Sequence, residues 1–145
     1  WVRPSSFIQV SGAGLQKLSD TFVEVAKESF EDLTDDKIEK YKNAPFRAPL
    51  IVILVSTKKD HPKVPRIEQI ISTGTAGQNI MLALNALGYG AIWRTGKFAF
   101  NEKISERLGL NDDQTIIGYI YIGTPKGKKK SLPKMNTEEY ISIWD

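Results

Sequence analysis

The sequence predicts a layered sandwich of helices and strands, of the α+β or α/β class. Residues 50–56 are continuously apolar and β-branched, which is typical of a strand covered on both faces. A long helix follows, and its second half, residues 80–87, offers little polar face. We therefore expect this helix to be buried nearly all round. Helical and strand patterns mix along the chain in the order β, α, α, β, α, β, α, β, β.

The composition is that of an ordinary globular domain with a real core. The chain has 145 residues, of which 41% are hydrophobic and 26% are charged. No apolar run approaches the roughly 20 residues that cross a bilayer. Because there is also no linker and no repeat, we expect one domain over residues 1–145 and no membrane contact. The absence of cysteine excludes disulfides and thiolate metal sites and is compatible with a cytoplasmic location.

The first half of the chain predicts one strand and two helices before the central strand. Residues 5–10 form a strand candidate, which the glycine-containing residues 11–14 interrupt. The next apolar residues recur at helical spacing and predict the first helix. They are Leu15, Leu18, Phe22, Val25 and Ala26. Thr34 begins a second helix, whose first-turn carboxylates suit the helix dipole, and Pro45 ends it.

The second half predicts the long helix, three strands and a short helix. Pro65 suits the first turn of the long helix, and Gly88 suits the left-handed position that ends it. The later elements are strands at residues 89–95, 114–122 and 140–144 and a helix at residues 98–108, capped by Asn101 and stopped by Gly109. The last strand alternates apolar and polar residues, as an edge strand does. It could extend the sheet of a neighbouring subunit.

Small residues crowd the middle of the long helix, at residues 72–77. A glycine inside a helix costs about 1 kcal/mol relative to alanine, and this segment contains two, Gly74 and Gly77. We infer that another group comes close to the backbone here. A cofactor or a partner helix would both fit.

The chain offers little catalytic machinery of its own. It has no GxGxxG fingerprint, no P-loop and no GxSxG elbow. Its one histidine, His61, lies in a lysine-rich turn that is typical of the surface, and no group of His, Asp and Glu has metal-ligand spacing. We predict neither a catalytic side chain nor a metal. Glycine-rich backbone, hydroxyls and cations near a buried helix favour a bound cofactor that carries the chemistry.

Several residues have two interpretations. Trp93 in an apolar strand is typical of a core, whereas Arg94 is either a surface residue at a strand end or a buried guanidinium that needs a partner. Arg47 has the same ambiguity. The run KGKKK, residues 126–130, is typical of a solvated loop, although it could meet a phosphate or a nucleic acid.

Four segments, in this order and spacing, resemble the flavin-dependent nitroreductase family, and more narrowly its compact bacterial branch. They are NAPFRAPLIVILVS (43–56), HPKVPRIEQ (61–69), LGYGAIWRTG (87–96) and IGYIYIGTP (117–125). The resemblance implies an α+β fold with a central, mostly antiparallel sheet, an intertwined homodimer, and FMN bound without a covalent link at the dimer interface. NADH or NADPH would reduce the flavin, which would then reduce a nitroaromatic or quinone-like acceptor in ping-pong order.

The resemblance also assigns site residues. Trp93, Arg94 and Thr95 match a flavin-binding segment of the branch. Six residues match a segment for the nicotinamide nucleotide: Ala83, Leu84, Asn85, Ala86, Leu87 and Gly88. Near the start, Arg3 stands where the branch often has glutamine and Ser5 where it has tryptophan. The family's N-terminal helix, with its arginines for the FMN phosphate, has no match here. If the protein starts at Trp1, we expect an incomplete phosphate site; if that segment precedes Trp1, we expect it to be disordered when no FMN is bound.

Two other function classes are weighed against the oxidoreductase. One is a flavin- or nucleotide-binding module with little turnover, which steady NAD(P)H oxidation with an added acceptor would distinguish. The other is a nucleic-acid binder that uses residues 126–130 and would bind with steep salt dependence. We favour the oxidoreductase, with a small-molecule acceptor and no nucleic-acid partner. Neither the acceptor nor the choice between NADH and NADPH follows from the sequence.

Overall fold

The computed structural model describes residues 1–127 and 131–144, and it has the predicted α+β class. The strands are β1 (Ser5–Ser11), β2 (Leu50–Thr57), β3 (Gly90–Arg94) and β4 (Gln114–Gly123). The helices are α1 (Ala13–Ser29), α2 (Asp35–Asn43), α3 (Arg66–Ala86) and α4 (Glu102–Arg107), with 3₁₀ turns at Pro45–Arg47 and Thr137–Tyr140. The four strands form one sheet in the order β1-β2-β4-β3, and every neighbouring pair is antiparallel.

One face of the sheet is closed by α1 and α4. Helix α1 turns its apolar stripe inward, as its spacing predicts, and buries Leu15, Leu18, Phe22, Val25 and Ala26. All of them except Ala26 form one continuous core with Ile53 of the central strand β2 and Ile104 of α4. Phe22 stacks on Phe98 with a ring-centroid distance of 4.2 Å. We call this side of the sheet, covered by α1 and α4, the closed face.

Among the described elements, α3 alone covers the opposite face of the sheet. Gly77 of α3 lies directly over Trp93 of β3 and Leu54 of β2, because a Cβ added at Gly77 would come within 2.5 Å of an atom of each side chain. The close neighbour that Gly77 predicts is therefore this chain's own core. At Gly74 an added Cβ would meet nothing within 4 Å, so that glycine faces open space. We call this the open face.

The prediction that the second half of α3 is buried nearly all round is wrong for the single chain. In the whole helix only Gln69, Thr73 and Gly77 are buried, while Leu82 remains 58% exposed and Leu87 72% exposed. The reason is geometric: a helix that rests on a sheet contacts it along one stripe only, and no other element of the described chain covers the outer stripe.

Polar side chains fix the start of α3. The buried Gln69 amide donates to the Lys59 and Val64 carbonyls, at 2.9 and 3.1 Å, and its oxygen accepts from the Lys59 N–H at 2.9 Å. These bonds hold the lysine-rich turn against the helix. His61 lies exposed in that turn, where its Nδ1 accepts from the Lys63 N–H at 3.2 Å. The structure thus confirms the interpretation of His61 as a surface residue.

The predicted strand at residues 140–144 is absent. Tyr140 ends a 3₁₀ turn, and residues 141–144 have no strand partner and are exposed. An alternating pattern forms a strand only when a neighbouring edge completes its hydrogen bonds, and the described chain brings no edge to these residues. Of the basic run at residues 126–130, Lys126 and Gly127 are exposed, and residues 128–130 lie outside the described residues.

Two further expectations concern helices and metals. The short helix is confined to Glu102–Arg107, with the Asn101 side chain accepting from the Lys103 N–H as predicted. None of the helices in the described chain is both long enough and apolar enough for a bilayer span. Within residues 1–127 and 131–144, no three His, Cys, Asp or Glu side chains gather as metal ligands.

Candidate functional site

Two clefts meet beside the edge strand β3, on the side of the closed face. The first, of about 870 Å³, lies between β3, the Phe46–Pro49 turn and the end of β4; we call it the strand-edge cleft. The second, of about 510 Å³, lies between the end of β3, helix α2 and a group of aromatic rings; we call it the aromatic cleft. Arg47, Arg94 and Tyr121 line both clefts and form their boundary.

The described walls of the two clefts carry several positive side chains. Lys126 adds to the two arginines in the strand-edge cleft, and Lys40 and Lys97 add to them in the aromatic cleft. Among residues 1–127 and 131–144, no carboxylate lines either cleft. Within the described chain, none of these five cations forms a salt bridge. Because unpaired cations in a concavity focus a positive potential, the arrangement favours an anionic ligand.

Tyrosines on β4 line the clefts as neutral groups. Burial raises the pKa of Tyr121, and the neighbouring Arg47 and Arg94 lower it in part. Burial also raises the pKa of Tyr119 well above its usual range, and its hydroxyl donates to the Phe98 carbonyl at 3.2 Å. Both phenols therefore remain protonated at neutral pH and can donate hydrogen bonds.

The structure separates the three residues of the predicted flavin segment. The Arg94 side chain lines both clefts, and Thr95 lines the aromatic cleft. The Trp93 indole lies on the open face, in contact range of Gly77 and Gly118, where an added Cβ would collide with it. Successive side chains of a strand point to opposite faces, so Trp93 packs in the core while Arg94 faces the clefts. A flavin contact from Trp93 stays a prediction.

The predicted nicotinamide segment lies at the end of α3. Leu84 packs partly against the sheet, whereas Ala83, Ala86 and Leu87 are exposed.

Asn85 and Gly88, in the same segment, line a third cleft of about 380 Å³. Gly90, Ala91 and Pro125 line both this cleft and the strand-edge cleft, so the two adjoin. Gly88 has φ +83°, which confirms it as the left-handed stop of the helix. Nucleotide binding by the segment stays a prediction.

Several cleft residues escaped sequence reasoning. Tyr119 and Tyr121 alternate with isoleucines in β4, so their common face could have been read from the period of two. No sequence pattern indicated that Lys40 and Lys97 line the same cleft, because only the tertiary structure brings them together. Arg3 lines a separate cavity with Trp1 and Gln69, outside both clefts.

Comparisons with known proteins agree with this architecture. The chain matches the model of the Nitroreductase family over residues 2–124. It is 36% identical over 127 residues to YdjA of Escherichia coli strain K12, which is provisionally named an NAD(P)H nitroreductase; the match covers 88% of this chain and 68% of YdjA. YfhC of Bacillus subtilis, named in the same provisional way, is 28% identical over 124 residues, covering 85% of this chain and 63% of YfhC.

Solved structures share the fold. A nitroreductase-like family protein from Bacillus cereus superposes with a TM-score of 0.78 at 21% identity, over 97% of this chain and 73% of that protein. The FMN- and NADPH-dependent nitroreductase NfnB of sphigopyxis sp. strain HMH superposes with a TM-score of 0.74 at 17% identity, over 98% of this chain and 80% of NfnB. The family model and the identity to YdjA confirm the resemblance seen in the sequence: the chain belongs to the nitroreductase family.

Proposed function

We propose that this protein is an FMN-dependent NAD(P)H oxidoreductase that reduces nitroaromatic or quinone-like acceptors. Membership in the nitroreductase family and relatives named as NAD(P)H nitroreductases support the enzyme class. FMN is proposed as the cofactor, with NADH or NADPH as co-substrate, because the structural neighbour NfnB is described as FMN- and NADPH-dependent. The observation that carries the proposal is the cationic double cleft beside β3, with Arg94 at its centre.

The residues present fit FMN, which combines a planar ring system with a phosphate. The clefts have the size of sites for small molecules and cofactors. The exposed Lys126 suits the phosphate, and the apolar side chains of Phe46 and Ile92 in the strand-edge cleft suit the ring system. Arg94, Thr95 and Arg47 are the residues proposed to hold it, and the alternating pattern that turns Arg94 toward the clefts supports this choice.

When bound, FMN would supply the hydride chemistry that no side chain here provides. The protein's own part is electrostatic and steric. The Arg94 and Arg47 guanidiniums provide fixed positive charge, which stabilises negative charge developing beside them during reduction. The protonated Tyr121 adds a hydrogen-bond donor at the same place. We propose a ping-pong order, in which the nucleotide leaves before the acceptor binds.

We further propose that two copies of the chain form a homodimer through α3. The helix exposes Ile67, Ile71 and Leu82 in the single chain, although these side chains would gain about 1.5–3 kcal/mol each from full burial. Gly74 faces open space, where a partner helix could approach the backbone. Residues 1–145 are proposed to form one domain, located in the cytoplasm. The single shared sheet and the lack of cysteine support these two points.

The test of this function is an FMN titration of the Arg94→Ala variant, followed by flavin fluorescence. Losing one charge-assisted contact weakens binding by about tenfold or more. Lys17→Ala, which changes an exposed lysine outside both clefts, is the matched control and should titrate like the wild type. An unchanged titration and an unchanged rate of NAD(P)H oxidation in Arg94→Ala would remove this residue from the site.

Turnover distinguishes the enzyme from a simple binding module. If the wild type binds FMN and oxidises NAD(P)H steadily when a nitro compound or a quinone is added, the oxidoreductase is supported. If it binds FMN but shows no acceptor-dependent oxidation, the protein is a flavin-binding module and the proposed activity is wrong.

A further inference from the structure

The aromatic cleft has a hydrophobic floor made of packed rings. Phe22 and Tyr119 are buried there and meet edge to face, with ring centroids 5.9 Å apart. Tyr41 meets Phe98 in the same way at 5.0 Å. The rings hold one another in place, so the floor is a preformed surface rather than a set of mobile side chains. Such a floor accepts a planar aromatic molecule.

The rim of the same cleft carries two exposed lysines. Lys40 lies in the last turn of α2, and Lys97 follows β3. The Lys97 ammonium lies 4.9 Å from the centre of the Phe30 ring, a cation–π contact that restrains it beside the cleft. The helix dipole stabilises a cation in the last turn of a helix, which explains why a lysine suits position 40. It does not explain why the Lys40 side chain lines the cleft.

We propose that Lys40 and Lys97 recognise the anionic group of an aromatic electron acceptor, such as an aromatic carboxylate or sulfonate. This inference rests on the proposed function, because the electrons that reduce the acceptor come from NAD(P)H. It adds a substrate class: acceptors that carry a negative charge are preferred over neutral ones. The floor takes the ring, and the rim lysines attract the charge before and during contact.

The charge of the described cleft wall has one sign, which strengthens the assignment. A rim of alternating charges would bind anions and cations alike. Here Lys40 and Lys97 lie with Arg47 and Arg94, and the part of the chain that the structure describes adds no carboxylate to this cleft. The same positive field would repel cationic acceptors. The rim charges therefore select acceptors by their charge, independently of the residues that take part in the reduction.

Steady-state kinetics with matched acceptors test the preference. We would compare 4-nitrobenzoate with the neutral 4-nitrobenzamide, using the FMN-loaded wild type, the double variant Lys40→Gln/Lys97→Gln, and the control Lys17→Gln. The double variant should raise the KM for 4-nitrobenzoate about fivefold more than the KM for 4-nitrobenzamide, since an exposed ion pair contributes a small factor. Comparing each variant with the wild type cancels the different intrinsic reactivity of the two compounds.

Equilibrium binding provides a second readout that needs no turnover. Isothermal titration with 1-naphthalenesulfonate, and with 1-naphthalenesulfonamide as its neutral partner, measures anion preference without NAD(P)H. Wild type should favour the sulfonate, the double variant should lose that preference, and raising the ionic strength should reduce it. Because this measurement does not depend on the reaction, it remains informative if the proposed enzymatic activity fails.

Two results would overturn the inference. One is an unchanged preference for both anionic probes in the double variant. The other is a loss of FMN affinity, or a raised KM for NAD(P)H, in the double variant while the acceptor preference stays as in the wild type. The second result would assign the two lysines to the cofactor or the nucleotide.

Discussion

The two faces of the sheet are covered in different ways. On the closed face, α1 buries six residues and joins α4 in a continuous core that the chain completes by itself. On the open face, the longer α3 buries only three residues and leaves large apolar side chains in solvent. Hydrophobic sequence is thus used for two purposes: to build the fold on one side and, as we propose, to recruit a second copy on the other.

The largest expected difference comes from the same substitution on each face. Leu18→Ala on α1 empties a position that is 3% exposed and should cost about 3 kcal/mol of unfolding free energy. Leu82→Ala on α3 should change it by less than about 0.5 kcal/mol in the dissociated chain. Urea unfolding at low protein concentration measures both. Similar costs for the two variants would mean that the open face is already covered in the monomer.

The two glycines of α3 sharpen the contrast within one helix. Gly77→Ala places a methyl group against Leu54 and Trp93 and should destabilise the fold by about 2 kcal/mol, within the usual cost of overpacking. Gly74→Ala meets no neighbour and should stabilise the single chain by up to about 1 kcal/mol. If Gly74→Ala instead weakens self-association, a partner backbone lies at this position.

The proposed use of the open face predicts a defect in association without loss of folding. Leu82→Asp should raise the dissociation constant of the dimer at least about tenfold, because a charge would be buried without a partner. Sedimentation velocity over a dilution series measures it, with Lys17→Glu as the control on α1. A wild type that is monomeric throughout the series would contradict the dimer proposal itself.

The smallest effect concerns the rim of the closed face. Hydrogen bonds from Arg107 and Lys103 lower the pKa of Glu28, whose ordinary value is 4.5, so they tie α1 to α4. A lowered pKa contributes stability above the unfolded value and loses it as the pH falls through the folded value. Glu28→Gln should therefore melt slightly below the wild type at pH 7, and the difference should shrink well below pH 4.5. Thermal melts that differ equally at both pH values would exclude this origin.

Local signals in the sequence predicted most of the elements. The apolar run of β2, the caps at Thr34 and Asn101 and the stop at Gly88 all depend on residues close in sequence. The exposure of α3 could not be predicted from its apolar residues. An apolar pattern indicates that a surface will be buried, but it does not distinguish burial within the same chain from burial against a second copy. The prediction of a strand at residues 140–144 was wrong for a similar reason, because the local sequence does not show whether a neighbouring strand edge is present to pair with it.

The site was predictable in part. Arg94 and Thr95 followed from the family resemblance, and the structure places both on the clefts. The strand period of two implies that Trp93 and Arg94 point to opposite faces, whereas the family resemblance assigns the segment as one unit. Lys40 and Lys97 lie 57 positions apart in the chain. Their convergence depends on how α2 packs beside β3, which no local pattern encodes.

The position of Trp93 also gives the protein an intrinsic optical probe. Of the three tryptophans, Trp1 and Trp144 are fully exposed, whereas Trp93 is wedged between Gly77 of α3 and Gly118 of β4. A soluble quencher such as acrylamide should suppress the emission of the two terminal indoles and leave a shorter-wavelength component from Trp93. That residual emission would report on the contact between α3 and the sheet without any label, and so would follow directly how the open face responds to a ligand or a second subunit.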